Sequence, residues 1–345
     1  MAVWDEVCRW GGVVAIGLGM WLGPVMAAQG TQTVQVEPGT PRSQPTPTTP
    51  GSASAPAELD ARTSYPIVLV HGMMGFDHLF GGLLPALPYW RGIQEALEAH
   101  GARVYVVQVS AFHASEVRGE QLLAQVQDIL ARSRATKVNL IGHSHGSQTI
   151  RYVAGKRPDW VASVTSVAGP NGGSEFADWV HSRHEAGSWF AAGLIGLGNQ
   201  VGRFINWASD ADWPQDTAAG LASLTTQGTA DFNRRFPAGV PTEPCGQGAA
   251  EVNGIRYFSW SGVGTFHRWL NPADYLMGMT GWTFEKEAGD GLVGRCSSHL
   301  GEVIRDDYPM NHFHAVNQIG GLVNKDVDPV ALYVAHARRL RALGL

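Results

Sequence analysis

The sequence predicts an α/β fold with a mostly parallel, doubly wound sheet. Between residues 65 and 167, short apolar runs typical of buried strands alternate with segments whose apolar residues recur at helical spacing. Such strand–helix–strand alternation places helices on both faces of a parallel sheet. The length of 345 residues and the apolar fraction of 44% suit one large globular domain or two small ones.

The strands are predicted from runs of apolar and β-branched residues. The first run, residues 65–70, is continuous, as in a buried strand, whereas the second run, residues 103–109, alternates between apolar and polar residues. The third run begins at Val138 and breaks at Gly142. The remaining two predicted strands cover residues 161–167 and 255–261.

The helices are predicted from apolar spacing and from capping residues. Leu122, Val126 and Ile129 recur at helical spacing within residues 119–133. Asp328 is suited to an N-cap and Pro329 to a first helical turn. The other predicted helices cover residues 91–100, 145–155 and 329–343.

The first 28 residues are predicted to be a signal peptide. Residues 11–28 are apolar and end in small residues, so cleavage is expected near Ala27 or Ala28. Acidic residues offset Arg9, which removes the usual positive charge before the apolar core. An uncleaved N-terminal anchor is therefore the alternative, and both interpretations predict export.

Composition separates the rest of the chain into two parts. Residues 29–63 are rich in Pro, Thr, Ser and Gln and cannot bury a core, so they are predicted to be a disordered linker. Residues 64–345 are predicted to form the globular domain. The net charge is −5 and there is no basic stripe, which argues against a nucleic-acid partner.

A nucleophile elbow is predicted where the third strand ends. Gly142 and Gly146 flank Ser144 in a Gly-x-Ser-x-Gly pattern between a strand and a helix. The glycines allow the strand and helix backbones to pass closely, and the turn exposes the serine hydroxyl. Ser144 is therefore the candidate nucleophile.

A serine needs a base and an orienting acid, which in α/β-hydrolases follow it in the order serine, acid, histidine. Asp290 lies between two glycines, and His312 lies in a loop before the last helix. The backbone N–H groups of Met73, which follows the first strand, and of His145 are the predicted oxyanion donors.

Four segments together resemble the secreted triacylglycerol lipases of Pseudomonas and Burkholderia. They are YPIVLVHGMMGFD (65–77), SEVRGEQLL (115–123), KVNLIGHSHG (137–146) and DGLVGRCSSHLG (290–301), and MNH (310–312) extends the match. The resemblance covers nearly the whole globular part. It implies an α/β-hydrolase fold with a helical lid, Ser144 as nucleophile, Asp290 as acid and His312 as base.

The resemblance also implies roles for residues outside the triad. Cys245 and Cys296, which composition already favours as a structural disulfide, match bridged cysteines of the family. Arg118 matches an arginine that braces the oxyanion loop. Residues 186–207 match the lid, although their apolar character also suits a buried core helix. Many family members need a membrane-anchored foldase, so a foldase chaperone is an expected partner.

The family's structural calcium is not expected here. Its two aspartate positions are Asn271 and His314, whereas Gln318 and the carbonyl of Leu322 match the other ligands. Calcium prefers anionic oxygen ligands, so Asn271 and His314 are expected to hydrogen-bond to each other or to the backbone instead. His314 is also an alternative candidate for the base. No other metal or cofactor is expected.

The predicted function is that of a secreted carboxylic-ester hydrolase, in the first place a triacylglycerol lipase acting at a lipid–water interface. An esterase or polyester hydrolase with a different acyl preference is the alternative within the enzyme class. A non-catalytic binding protein with a hydrolase fold is the alternative outside it.

Overall fold

A computed structural model of the chain describes residues 60–80, 86–284 and 287–345. The predicted leader and residues 29–59 of the predicted linker lie outside the described residues. Residues 60–63 pack on the folded unit, because Ala61 is fully buried and its N–H donates to the carbonyl of His100. The folded unit thus includes these residues, although the sequence places its start at Ser64.

A seven-stranded sheet forms the centre of the fold, in the order β4-β1-β5-β6-β8-β7, with β9 also paired to β8. All neighbouring strands are parallel except β7, which runs antiparallel to β8. A separate two-stranded ribbon pairs β2 with β3. The strands are β1 (Ile67–Val70), β2 (His78–Leu79), β3 (Leu87–Pro88), β4 (Val104–Val107), β5 (Val138–His143), β6 (Val161–Val167), β7 (Glu251–Val252), β8 (Ile255–Gly262) and β9 (Glu302–Tyr308).

Helices cover the sheet and extend beyond it. They are α1 (Ile93–Ala99), α2 (Ser115–Ser133), α3 (Gly146–Lys156), α4 (Glu175–Glu185), α5 (Trp189–Ala208), α6 (Thr217–Leu224), α7 (Thr226–Arg235), α8 (Pro272–Thr280) and α9 (Pro329–Ala342). Leu122, Val126 and Ile129 of α2 are buried in the main core together with residues of β1, β5 and β6. Within the described residues, no helix combines the length and apolarity needed to cross a membrane.

The predicted α/β fold is confirmed, and each predicted strand lies within three residues of an observed one. Strand β9 was not predicted, because its sequence EVIRDDY lacks an apolar run. Among the described strands it pairs only with β8, and none of its residues is fully buried. The position at the end of the sheet explains why a charged strand is tolerated there.

The loops that follow β1, β5, β8 and β9 matter most for the site. Because these strands are parallel, their carboxyl ends lie at the same edge of the sheet. The four loops carry Met73, Ser144, Asp290 and His312, respectively. Residues separated by more than 200 positions are thereby placed at one edge.

Candidate active site

Ser144 occupies a strained turn between β5 and α3. Its φ angle is 55°, in the left-handed region that costs a residue with a Cβ about 1–2 kcal/mol. The N–H of Ser144 donates to the carbonyl of Val167 at 2.9 Å, which ties the turn to the neighbouring strand. The side chain is half-buried among fully buried neighbours.

The glycines on either side of Ser144 leave no room for a side chain. A Cβ on Gly142 would lie 2.4 Å from the carbonyl oxygen of Gly146, and one on Gly146 would lie 2.4 Å from that of Val70. Both distances are far below normal van der Waals contact. The close passage of strand and helix that the Gly-x-Ser-x-Gly pattern predicts is thus present.

Asp290 and His312 form a buried pair. Nδ1 of His312 lies 2.8 Å from Oδ2 of Asp290, and both side chains are at most 4% exposed. Oδ1 of Asp290 accepts hydrogen bonds from the N–H groups of Leu292 at 3.0 Å and Val293 at 2.8 Å. The carboxylate is therefore fixed from one side and orients the imidazole with its other oxygen.

The ring of His312 packs against that of His143, the residue before Ser144. The two ring centroids are 4.6 Å apart, and Nε2 of His143 lies 3.1 Å from the carbonyl oxygen of His312. Burial holds the pKa of His143 well below its usual value, so its ring is neutral. A carbonyl only accepts, so Nε2 carries the proton and Nδ1 is an acceptor.

Tyr89 extends this chain of hydrogen bonds to the loop after β1. Its hydroxyl lies 2.7 Å from Nδ1 of His143 and must donate there, since that nitrogen is an acceptor. The N–H of Gly72 in turn donates to the Tyr89 oxygen at 3.2 Å. One directed chain thus joins the Gly72 loop, His143 and the backbone of His312. No local signal in the sequence marks Tyr89, which lies 54 residues before its partner.

The predicted oxyanion donors lie in two places. One is the loop after β1, which carries Gly72 and Met73 and is called the oxyanion loop below, and the other is the start of α3. A Cβ on Gly72 would lie 2.7 Å from Cβ of Ser144, so this loop passes directly beside the serine. In the described part of the chain, the N–H groups of Met73 and His145 have no protein acceptor. Two unpaired amides beside the serine hydroxyl suit an anion that develops there.

Comparisons with known proteins address the family of this chain. A family model described as the alpha/beta hydrolase fold matches residues 65–315. The triacylglycerol lipase of Vibrio cholerae is 52% identical over 286 residues, covering 82% of this chain and 90% of that protein. The triacylglycerol lipase of Pseudomonas fragi is 41% identical, covering 82% of this chain and 98% of that protein. The chain belongs to this α/β-hydrolase family of bacterial lipases.

A solved structure supports the fold of this α/β-hydrolase. A metagenomic carboxyl esterase superposes with a TM-score of 0.53 at 18% identity, covering 90% of this chain and 82% of that one. The resemblance to Pseudomonas and Burkholderia lipases is confirmed by the curated relatives. The predicted disulfide between Cys245 and Cys296 is present in the structure.

Arg118 of this α/β-hydrolase lies, fully buried, under the oxyanion loop. Its guanidinium donates to the carbonyls of His71 at 2.7 Å and Gly72 at 3.3 Å, and also to that of Ser110. Nε donates to Oγ1 of Thr149 in α3 at 3.2 Å. Burial lowers the pKa of Arg118 to about 9, so it remains charged at neutral pH. One side chain thus connects the oxyanion loop to the helix behind Ser144.

The predicted lid segment, residues 186–207, coincides with helix α5. Ile195 of α5 and Met73 of the oxyanion loop pack against the same apolar cluster, which is formed by α4 and α6. The outer side of α5 exposes Trp189 by 63% and Trp207 by 73%. The segment is therefore a surface helix that packs against the same apolar cluster as Met73, and the alternative of a buried core helix does not apply.

The positions of the family's calcium ligands form a separate buried cluster. Nδ2 of Asn271 lies 3.0 Å from Nε2 of His314, and that nitrogen lies 3.1 Å from Oδ1 of Asp274. His314 thus pairs with Asp274, whereas His312 pairs with Asp290. This pairing weighs against His314 as the catalytic base. Asp274 did not emerge from the sequence, because nothing local distinguishes it from a surface aspartate.

Proposed function

We propose that the chain is a secreted triacylglycerol lipase that hydrolyses carboxylic esters through an acyl-enzyme. The observation that carries this proposal is the buried Asp290–His312 pair, which lies against the elbow of Ser144. The names of the Vibrio cholerae and Pseudomonas fragi relatives support triacylglycerols as the substrate class. A fluorophosphonate probe tests the proposal, because it labels only an activated serine.

Each of the site residues has a role in this reaction. Nε2 of His312 accepts the Ser144 proton while Oγ attacks the ester carbonyl, and Asp290 stabilises the imidazolium. The N–H groups of Met73 and His145 donate to the oxyanion. His312 then protonates the leaving alcohol, which leaves the acyl group on Ser144. Water attacks this acyl-enzyme by the same route and releases the fatty acid.

Arg118 has a positioning role that a pair of matched variants can test. Arg118→Lys keeps the charge but cannot reach the three carbonyls at once, so the oxyanion loop shifts. We expect kcat on a soluble p-nitrophenyl ester to fall about 100-fold with KM little changed, since a misplacement of about 1 Å has effects of this size. Initial-rate kinetics measure both parameters.

Arg151→Lys is the matched control, because Arg151 is a buried arginine that donates to Asn233 and Phe236 away from the oxyanion loop. This variant is expected to lose thermal stability but to keep kcat within about twofold, since it leaves the site's donors in place. An equal loss of kcat in both variants would mean that Arg118 acts only through general stability.

Helix α5 is proposed to act as the lid at a lipid surface. Gly193 and Gly196 of α5 face open space, and glycine within a helix costs about 1 kcal/mol relative to alanine. Such a helix moves or re-forms easily. Its displacement would uncover the apolar cluster shared by Ile195 and Met73. This is how contact with lipid would open the site.

A second exposed apolar surface lies beside the catalytic-base loop. We call it the 266–282 rim, and its side chains are between 47% and 72% exposed: Phe266, Trp269, Leu270, Tyr275 and Trp282. The carbonyl of Thr265 accepts a hydrogen bond at 3.4 Å from Asn311, the neighbour of His312. Exposed tryptophan and leucine at the edge of a site favour adsorption to a lipid–water interface.

Activation at a lipid interface predicts a break in the plot of rate against substrate concentration. As tributyrin is raised through its solubility limit, we expect the rate to rise more than in proportion once droplets form. Soluble p-nitrophenyl acetate should show ordinary saturation. A Trp269→Ser/Leu270→Ser variant should lose droplet adsorption but keep the p-nitrophenyl acetate rate. Simple saturation across the tributyrin solubility limit would contradict the lid assignment.

The proposal also covers export of the protein and a foldase partner. The predicted signal peptide supports export, with the N-terminal anchor as the alternative. The foldase stays a prediction from the family resemblance.

A further inference from the structure

The residues at the family's calcium positions do not fit a calcium ion. Nδ2 of Asn271 donates to the carbonyl of Leu322 at 2.7 Å, and Oδ1 accepts from the N–H of Ala273 at 2.9 Å. These two bonds fix the orientation of the amide. The Leu322 oxygen, which in the family would face the cation, therefore receives an N–H donor.

The other two side chains are also unsuited to calcium. His314 presents Nε2, and imidazole is a poor ligand for this hard cation. The side-chain amide of Gln318 donates to the carbonyls of Pro88, at 2.8 Å, and Tyr89. Asn271 and His314 thus present nitrogen atoms to each other where calcium needs anionic oxygens.

The carboxylate of Asp274, in the same cluster, is already fully engaged. Asp274 is completely buried, and its Oδ2 accepts from the N–H groups of His267 and Arg268. Its Oδ1 accepts from Nδ2 of Asn311 at 2.7 Å and lies 3.1 Å from Nε2 of His314. A buried carboxylate is stabilised by such a set of donors, and none of its oxygens is left for a cation.

These contacts converge on the loop that carries the base. Asn311 precedes His312, and Oδ1 of Asn311 accepts from the N–H of His314 at 3.1 Å. Asp274 thus joins helix α8 to both sides of His312 through Asn311 and His314. Asn271, the N-cap of α8, also connects this helix to the segment at Leu322 through the hydrogen bond from its Nδ2.

We propose that Asn271, Asp274, Asn311 and His314 form a metal-free brace that replaces calcium in holding the catalytic-base loop. The aspartate charge is balanced by backbone and side-chain amide donors of the chain itself. The loop therefore keeps its position without a divalent cation.

Thermal unfolding of the full chain gives the first test. A cation present at about 100 times its Kd raises Tm by about 4–5 °C in a domain of this size. We expect Tm to differ by less than about 1 °C between millimolar EDTA and millimolar calcium chloride. A fall in EDTA that calcium reverses would overturn the proposal, as would stoichiometric calcium in the purified protein by elemental analysis.

Variants of the brace give the second test. Asn271→Asp/His314→Asp places two more carboxylates beside Asp274, so Tm should fall in EDTA and rise by about 4–5 °C with calcium. Asp274→Asn removes the central acceptor and should lower Tm equally in EDTA and in calcium. If calcium restored the Tm of Asp274→Asn, or if wild type and the double variant responded alike, the brace would be refuted. The single-variant and wild-type measurements decide the matter even if the double variant does not fold.

Discussion

Ser144→Ala is expected to lower kcat for ester hydrolysis by about 10⁶-fold, the loss typical of a deleted catalytic nucleophile. The variant removes the atom that forms the acyl bond, and no neighbouring hydroxyl lies on the elbow to replace it. Initial rates on p-nitrophenyl butyrate measure the loss. Labelling by a fluorophosphonate should disappear at the same time.

Ser182→Ala is the control, because Ser182 is exposed on α4 and bonds only to its own helix. It should keep full activity and labelling. A wild-type protein that folds but is not labelled would favour the non-catalytic binding protein. Substantial activity in Ser144→Ala would remove Ser144 from the role of nucleophile.

Ser144→Gly separates strain from chemistry at the same position. It loses the hydroxyl as alanine does, but glycine adopts the φ of 55° without a Cβ penalty. We expect it to be inactive. Its free energy of unfolding should exceed that of Ser144→Ala by about 1 kcal/mol, and it should therefore unfold at a higher temperature. Equal stability of the two variants would mean that the elbow stores little strain.

Asp290→Asn is expected to lower kcat by about 10⁴-fold, the second largest effect. The N–H groups of Leu292 and Val293 already occupy one oxygen, so the amide oxygen must stay there. The amide NH2 then faces Nδ1 of His312, which becomes an acceptor. The imidazole proton moves to Nε2, and this nitrogen can no longer take the proton of Ser144.

Asp306→Asn is the matched control, since Oδ2 of Asp306 lies 2.9 Å from Nε2 of His299 in a second aspartate–histidine pair. In the described residues that pair makes no contact with Ser144 or with the Asp290–His312 pair, so kcat should change less than about twofold even if the free energy of unfolding falls. If both variants lost activity equally, the loss could not be ascribed to the tautomer of His312.

Local signals in the sequence were sufficient for the central strands of the sheet and for the elbow. The runs that became β1, β5 and β6 are buried on both faces, so their apolar character shows without knowledge of their neighbours. Strand β9 could not be found in this way, because its position at the end of the sheet imposes no apolar pattern.

The order of Ser144, Asp290 and His312 was also readable, because each follows a glycine or loop signal of its own. The links among them were not. Tyr89 and His143 are 54 residues apart, and Asp274 and Asn311 are 37 residues apart. A hydrogen bond between such positions depends on how loops meet after folding, and no local pattern records it.

The sequence by itself determined the fold class, the family and the candidate nucleophile, because these depend on short-range patterns of apolar residues, glycines and motif spacing. Only the tertiary structure decided which carboxylate serves which histidine. Asp290 pairs with His312 and Asp274 with His314 because the parallel strands bring their loops to one edge of the sheet, while α8 packs behind the base loop. Pairing between buried charges is set by distance in space, which the linear order of residues does not contain.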